Sequence, residues 1–171
     1  MALVRMDIQS IVVGGGPVAS LMVLKPRHDD APSSTQLPIR IGSVEAAAIS
    51  MGVSAAQRER PMTHDLLAAT ISQLGASVDD VVIHTVKGTT FYALIRLTSR
   101  EGDAVVLDAR PSDAIALAVR THAPIFAEED VLQRASLPDF GAVERNERAK
   151  EEEAFHEFVE SLSPDDFSVD V

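Results

Sequence analysis

"VDDVVIHTVKGTTFYALIRLTSREGDAVVLDARPSDAIALAVRTHAPIF", residues 78–126, is the stretch on which the fold turns. Its first part reads as three strands, because β-branched and apolar residues dominate each run while Lys87-Gly88 and Glu101-Gly102-Asp103 supply turn chemistry between them. Connections this short return the chain beside itself, so the three strands form an antiparallel meander. The pattern then changes period. From Ala114 to Val119 every residue is apolar, Pro111 suits a first helical turn, and Pro124 stops the run, which predicts a buried helix. Between strand and helix stands the polar knot Arg110-Pro111-Ser112-Asp113. Two opposite charges at a helix start need either a capping explanation or a chemical one.

Working outward, "VRMDIQSIVVGGGPVASLMVLKP" (4–26) reads as two strands around a glycine turn. A phosphate-cradling loop would place a helix after Gly14-Gly15-Gly16, whereas Pro17 and another strand-like run follow, so the glycines are read as a hairpin. A polar loop (26–36) precedes the short strand "LPIRIG" (37–42) and the small-residue helix "SVEAAAISMGV" (43–53), whose three alanines suit close approach of another backbone. In "RPMTHDLLAATISQLGA" (60–76), Leu67, Ile71 and Leu74 recur at helical spacing, Thr63 is the expected cap and Gly75 the stop. "EEDVLQR" (128–134) adds a short fourth helix. Near the end, Phe155, Phe158, Val159 and Leu162 form one stripe in a Glu-rich run from Asn146, the pattern of an acidic amphipathic helix. Hairpin-linked strands with clustered helices predict an α+β fold, with a mainly antiparallel sheet, interspersed helices and a C-terminal amphipathic helix. The expected organisation is one domain over 1–140 and an acidic helical tail over 141–171.

Charge and composition exclude several function classes. Of the net charge of −11, residues 141–171 carry −7 and residues 1–140 only −4. No basic stripe of the kind that neutralises a run of phosphates is present, so any nucleic-acid role rests on a local site. With no Cys there are no disulfides, thiolate chemistry or Cys-ligated zinc. The polar residues Arg5, Asp7 and Gln9 interrupt the N-terminal apolar run, which argues against a signal peptide or membrane span and leads to the expectation of a cytoplasmic protein with no membrane partner. The five histidines lack HExxH spacing.

Three helix starts share one order: arginine, hydroxyl, acid. Arg40 precedes Ser43 and Glu45, Arg60 precedes Thr63 and Asp65, and Arg110 precedes Ser112 and Asp113. Hydroxyls and acids there are accounted for by capping and by the helix dipole, each typically contributing about 0.3–2 kcal/mol. The arginines are not, because a cation outside a helix N-terminus lies on its unfavourable side and calls for an anionic partner. A nearby acid gives a structural ion pair; a phosphate gives a binding site. For Arg110 the expected partner is Asp65 or Glu45 from another helix start rather than its neighbour Asp113, with Ser112 or Asp113 accepting a backbone N–H. Such a contact would draw the three entrances into one cleft. His64, beside Asp65, is a candidate proton carrier, since histidine titrates near neutrality. Metal-assisted phosphoryl transfer would need converging carboxylates, for which Glu45, Asp65, Asp108 and Asp113 are the candidates.

The ordered blocks "LPIRIGSVEAAAI", "RPMTHDLL" and "LDARPSDAIALAVRTHAPIF", with "FYALIRL" between the last two, resemble the bifunctional nuclease domain family over about residues 3–135. The link "MGVSAAQRER" (51–60) departs from that pattern. The resemblance implies nuclease activity on DNA and RNA, and an α+β fold that associates into a homodimer or larger homo-oligomer. Two function classes follow. In the first, a nuclease dependent on Mg2+ or Mn2+ uses His64, Asp65, Arg110 and Asp113 catalytically, Arg40, Arg60, Arg110 and Ser112 for phosphate, and Glu45, Asp65, Asp108 and Asp113 for metal. In the second, a non-catalytic oligomeric or regulatory module uses the same groups as caps and ion pairs.

Overall fold

Two antiparallel meanders, joined by one short strand, build the sheet. The computed structural model describes residues 2–14, 19–27, 35–54 and 59–138. Its first meander is β1 (Leu3–Val12), β2 (Ser20–Pro26) and β3 (Thr35–Ile41); its second is β4 (Ser77–Lys87), β5 (Thr90–Thr98) and β6 (Ala104–Ala109). The strand between them is β7 (Ile125–Glu128), which pairs antiparallel with β1 and parallel with β4. A two-residue strand, β8 (Leu137–Pro138), caps the far edge and gives the order β6-β5-β4-β7-β1-β2-β3-β8. The expected α+β class with a mostly antiparallel sheet is therefore observed. The proposed tail helix and the tip of the first hairpin fall outside the described residues.

The meander turns follow from their residues. Gly88 takes a φ of +60° in the β4–β5 turn and Gly102 a φ of +91° in the β5–β6 turn, conformations that cost a side-chain-bearing residue far more than glycine. In β5, Ala93, Ile95 and Leu97 are buried while the alternate positions are only partly so, the period of two that the sequence pattern requires.

Four helices complete the fold: α1 (Ser43–Val53), α2 (Thr63–Gln73), α3 (Pro111–Thr121) and α4 (Glu129–Ala135). The central one is α3, with Pro111, Ser112 and all of Ala114–Ala118 buried. It lies on β4 and β5 and receives both α1 and α2. Small residues allow this. A side chain at Gly52 of α1 would place its first carbon 2.5 Å from Val119 Cγ2 and 2.6 Å from Arg120 Nη1, so the α1–α3 approach requires a glycine there. His122, in the left-handed region at φ 58°, closes α3 two residues before Pro124. Helix α4 touches β3, β4 and β7. Strands β3 and β4 lie four positions apart, about 19 Å in a flat sheet, whereas a seven-residue helix spans only about 10 Å. The sheet therefore curls around this helix.

Capping departs from expectation at two starts. Thr63 is the first helical residue of α2 and Met62 the cap; the Asp65 carboxylate reaches back to accept the Met62 N–H at 2.9 Å. At α3 neither Ser112 nor Asp113 caps the helix with its side chain, because Asp113 is drawn into ion pairs instead.

Candidate functional site

The α3 start places Arg110 with extended backbone immediately before Pro111, so its side chain leaves the helix axis toward the start of α1. Its guanidinium donates from Nε to Asp113 Oδ2 at 2.7 Å and from Nη2 to Asp113 Oδ1 at 3.1 Å. From Nη1 it donates to Glu45 Oε1 at 3.2 Å. The expected cross-helix partner Glu45 is thus present, but Asp113 is a partner too, and the closer one, contrary to the sequence reading. A planar fork meeting a carboxylate at two points fixes the guanidinium plane as well as its position.

Asp113 also meets α2, where His64 Nε2 lies 3.3 Å from Asp113 Oδ1. The Arg110 hydrogen bonds hold the Asp113 carboxyl below the usual carboxylate range; partial burial opposes this and the His64 contact reinforces it. Glu45, Arg110, Asp113 and His64 therefore form one continuous polar line across the starts of α1, α3 and α2.

Asp65 takes a different course. It is bound by Arg120, from the last turn of α3, whose side chain is only 6% exposed. Arg120 donates in addition to the Ala116 carbonyl at 2.8 Å and to the Ala48 carbonyl of α1 at 3.0 Å, joining three helices through one side chain. Arg120 was not among the residues singled out from sequence. Its only signal there was a lone cation at the end of an otherwise apolar helix, where the dipole alone accounts for it.

A cleft of about 640 Å³ opens beside this line. Arg40, Gly42, Ser43, Glu45, Arg110 and Ser112 line it together with Thr89, Thr90 and Phe91 from the β4–β5 hairpin. Gly42 leaves room for the Glu45 carboxylate: a side-chain carbon at position 42 would occupy the place of Glu45 Oε2. Arg40 is exposed on β3 and makes no ion pair among the described residues. Ser112 is only 6% exposed, and its hydroxyl has no hydrogen-bond partner among the described residues. A buried hydroxyl without a partner is costly and calls for a ligand or ordered water.

The sequence candidates thus divide by position. Arg40, Glu45, Arg110 and Ser112 share the cleft; Asp113 and His64 stand directly behind Arg110; Asp65 is turned to Arg120. Arg60 lies exposed in the bend before α2, outside the cleft lining. Asp108 is exposed on β6 opposite Leu94, on the sheet face away from Ala93 and Ala109. Among the described residues no three His, Asp or Glu side chains are placed to hold a metal ion together. Glu45 and Asp113 are shared with Arg110 and Asp65 with Arg120, so the acids as arranged fit guanidinium partners rather than Mg2+ or Mn2+.

Two uncharacterized proteins of Mycobacterium tuberculosis, Rv1829 of strain H37Rv and MT1877 of strain CDC 1551, are each 40% identical over 142 residues, covering 81% of this chain and 84% of their own. The sequence model of the bifunctional nuclease domain matches residues 22–139, which take in most of the cleft lining, both lining arginines and the whole of α3. The chain belongs to the bifunctional nuclease domain family.

Proposed function

We propose that the chain hydrolyses phosphodiester bonds of nucleic-acid strands in the cleft between the helix starts and the β4–β5 hairpin. The observation that carries this reading is the meeting of Arg40 and Arg110, from separate elements, with Glu45 and Ser112 in one cleft of a bifunctional nuclease domain. Arginine N–H groups suit phosphate oxygens, and the Asp113 fork pre-sets the plane of Arg110.

The position of each group suggests its role. Among the described residues Glu45 is the one carboxylate that lines the cleft, so it is the group to take a proton from an attacking water. As the water oxygen bonds to phosphorus, the bond from phosphorus to the leaving strand oxygen breaks, and that oxygen takes a proton from solvent. Arg40 and Arg110 hold the charge that gathers on the phosphate. Asp113 and His64 serve as positioning residues for Arg110, a role different from the direct catalysis expected from sequence.

One observation favours the alternative, a non-catalytic module: Glu45, Asp65 and Asp113 each have an arginine partner within the fold, so the network is complete without a ligand. Cleavage assays with highly purified protein separate the two readings. Single-stranded and duplex DNA and RNA would be tested with Mg2+, Mn2+ or EDTA, using wild type, Glu45→Gln and Arg110→Met. Loss of a proton acceptor lowers kcat by roughly 10²–10⁴-fold. Equal rates in wild type and Glu45→Gln would refute the proposed site, and a wild type that cleaves none of these substrates would leave the module reading.

A further inference from the structure

We infer that the cleft takes one unpaired nucleotide, its base against Phe91 and its phosphate against Arg40, Arg110 and the Ser112 hydroxyl. This rests on the phosphodiester reading of the same cleft and adds the form of the substrate.

Three observations lead to it. Among the described residues Phe91 is the one aromatic side chain lining the cleft, in a chain poor in aromatic side chains. It lies opposite Val86 on β5 and packs against the core, so its ring is held in place. Beside it, Thr89 and Thr90 offer hydroxyls to the edge of a base. In the same lining, the Ser112 hydroxyl is buried without a partner among the described residues, and Arg40 and Arg110 line the cleft with it. The third observation is size. A cleft of about 640 Å³ lies in the ordinary range for small-molecule sites, which suits a nucleotide unit and not a stacked duplex.

A base in a duplex reaches such a ring only after leaving its stack and its partner, which costs free energy that a single strand does not require. Base–aromatic stacking is also tolerant of sequence, because every base has a flat face. The acidic chain provides no long electrostatic track, so the local site must supply the affinity. Two arginines neutralise at most two phosphates, so the logarithm of affinity should fall with the logarithm of salt at a slope no steeper than about −1.4 for a single strand.

The test uses fluorescence anisotropy on the full chain, with three phosphorothioate probes of equal length: an oligothymidylate, a duplex and an abasic strand. The oligothymidylate should bind about tenfold tighter than the duplex. Phe91→Leu, which keeps the apolar packing and removes the π-face, should weaken the oligothymidylate about tenfold and leave the abasic strand unchanged. Ser112→Ala should weaken oligothymidylate and abasic strand alike. Equal binding of single strand and duplex by the wild type would overturn the inference. If Arg110→Met weakens all three probes while Phe91→Leu changes none, the phosphate reading stands and the nucleotide inference alone falls. If Arg110→Met alters no probe, the phosphate reading fails and the inference falls with it.

Discussion

Replacing Arg120 with Met should uncouple the three helices that frame the cleft, and the structure sets the size of the effect. The Arg120 side chain is 6% exposed and its Asp65 partner 26%. Removing one member of a buried ion pair typically costs about 3–5 kcal/mol, because the other charge is left without compensation. Two features reduce that figure here. Asp65 keeps some solvent and still accepts the Met62 N–H. The Ala48 and Ala116 carbonyls lie inside α1 and α3, where each also receives the helical N–H four residues on, so neither is orphaned. Methionine retains most of the apolar stem. The expected loss is therefore about 2–3 kcal/mol, a fall in Tm of roughly 6–10 °C. Urea unfolding followed by circular dichroism would read it, with an unchanged m-value showing that the folded state is otherwise intact. A cycle with Asp65→Asn should show a coupling of at least about 1 kcal/mol. A cost below about 0.5 kcal/mol, or strict additivity with Asp65→Asn, would mean that Arg120 does not couple the helices and is only a dipole partner of its own helix.

Other perturbations address separate contacts. Gly52→Ala should destabilise by about 1–3 kcal/mol, since the added carbon meets Val119 and Arg120 with no space to accept it; a neutral result in thermal unfolding would mean that α1 slides freely on α3. Asp113 has a depressed folded-state pKa, so its contribution to stability is present above the unfolded value, about 3.9, and is lost as pH falls through the folded value. Asp113→Asn should thus be less stable than wild type at neutral pH and converge with it in strong acid, and a gap in urea midpoint that stays constant with pH would count against the ion pair. Edge strand β6 leaves Val105, Val106 and Leu107 exposed, an arrangement that natural edges usually blunt with charge. Light scattering should accordingly show a homodimer or larger assembly that Val106→Lys weakens; a wild-type monomer at micromolar concentration would defeat that expectation.

Most of the fold was legible because its signals are local. The turn glycines 88 and 102, the alternation in β5 and the apolar run of α3 each act within a few residues, where propensity and periodicity operate. The three helix starts were legible as polar knots for the same reason. Where local signals compete, the reading missed. Thr63 looked like the cap of α2, but Asp65 reaches back to the Met62 N–H and the helix begins at Thr63 itself. The four residues of β7 after Pro124 carry no strand signal of their own, because four residues are too few to show a period of two.

The meander of β4–β6, the hairpin of β1 and β2, the short strand after it, the four helices with their approximate bounds, the lack of a basic track and the charge at three helix starts all follow from the sequence alone. How these join is set by long-range packing. β7 becomes a strand because β4 and β1 present open edges on either side of it, one pairing parallel and the other antiparallel; its backbone N–H and C=O groups are satisfied by partners more than forty residues away. The choice among carboxylates was equally non-local. Glu45 and Asp113 converge on Arg110, Asp65 goes to Arg120, and Asp108 faces away, because helix packing angles and strand parity set where each side chain ends. Charge is written in the sequence residue by residue, but an ion pair forms where packing brings opposite charges within a few ångströms, and that distance is a property of the folded chain alone.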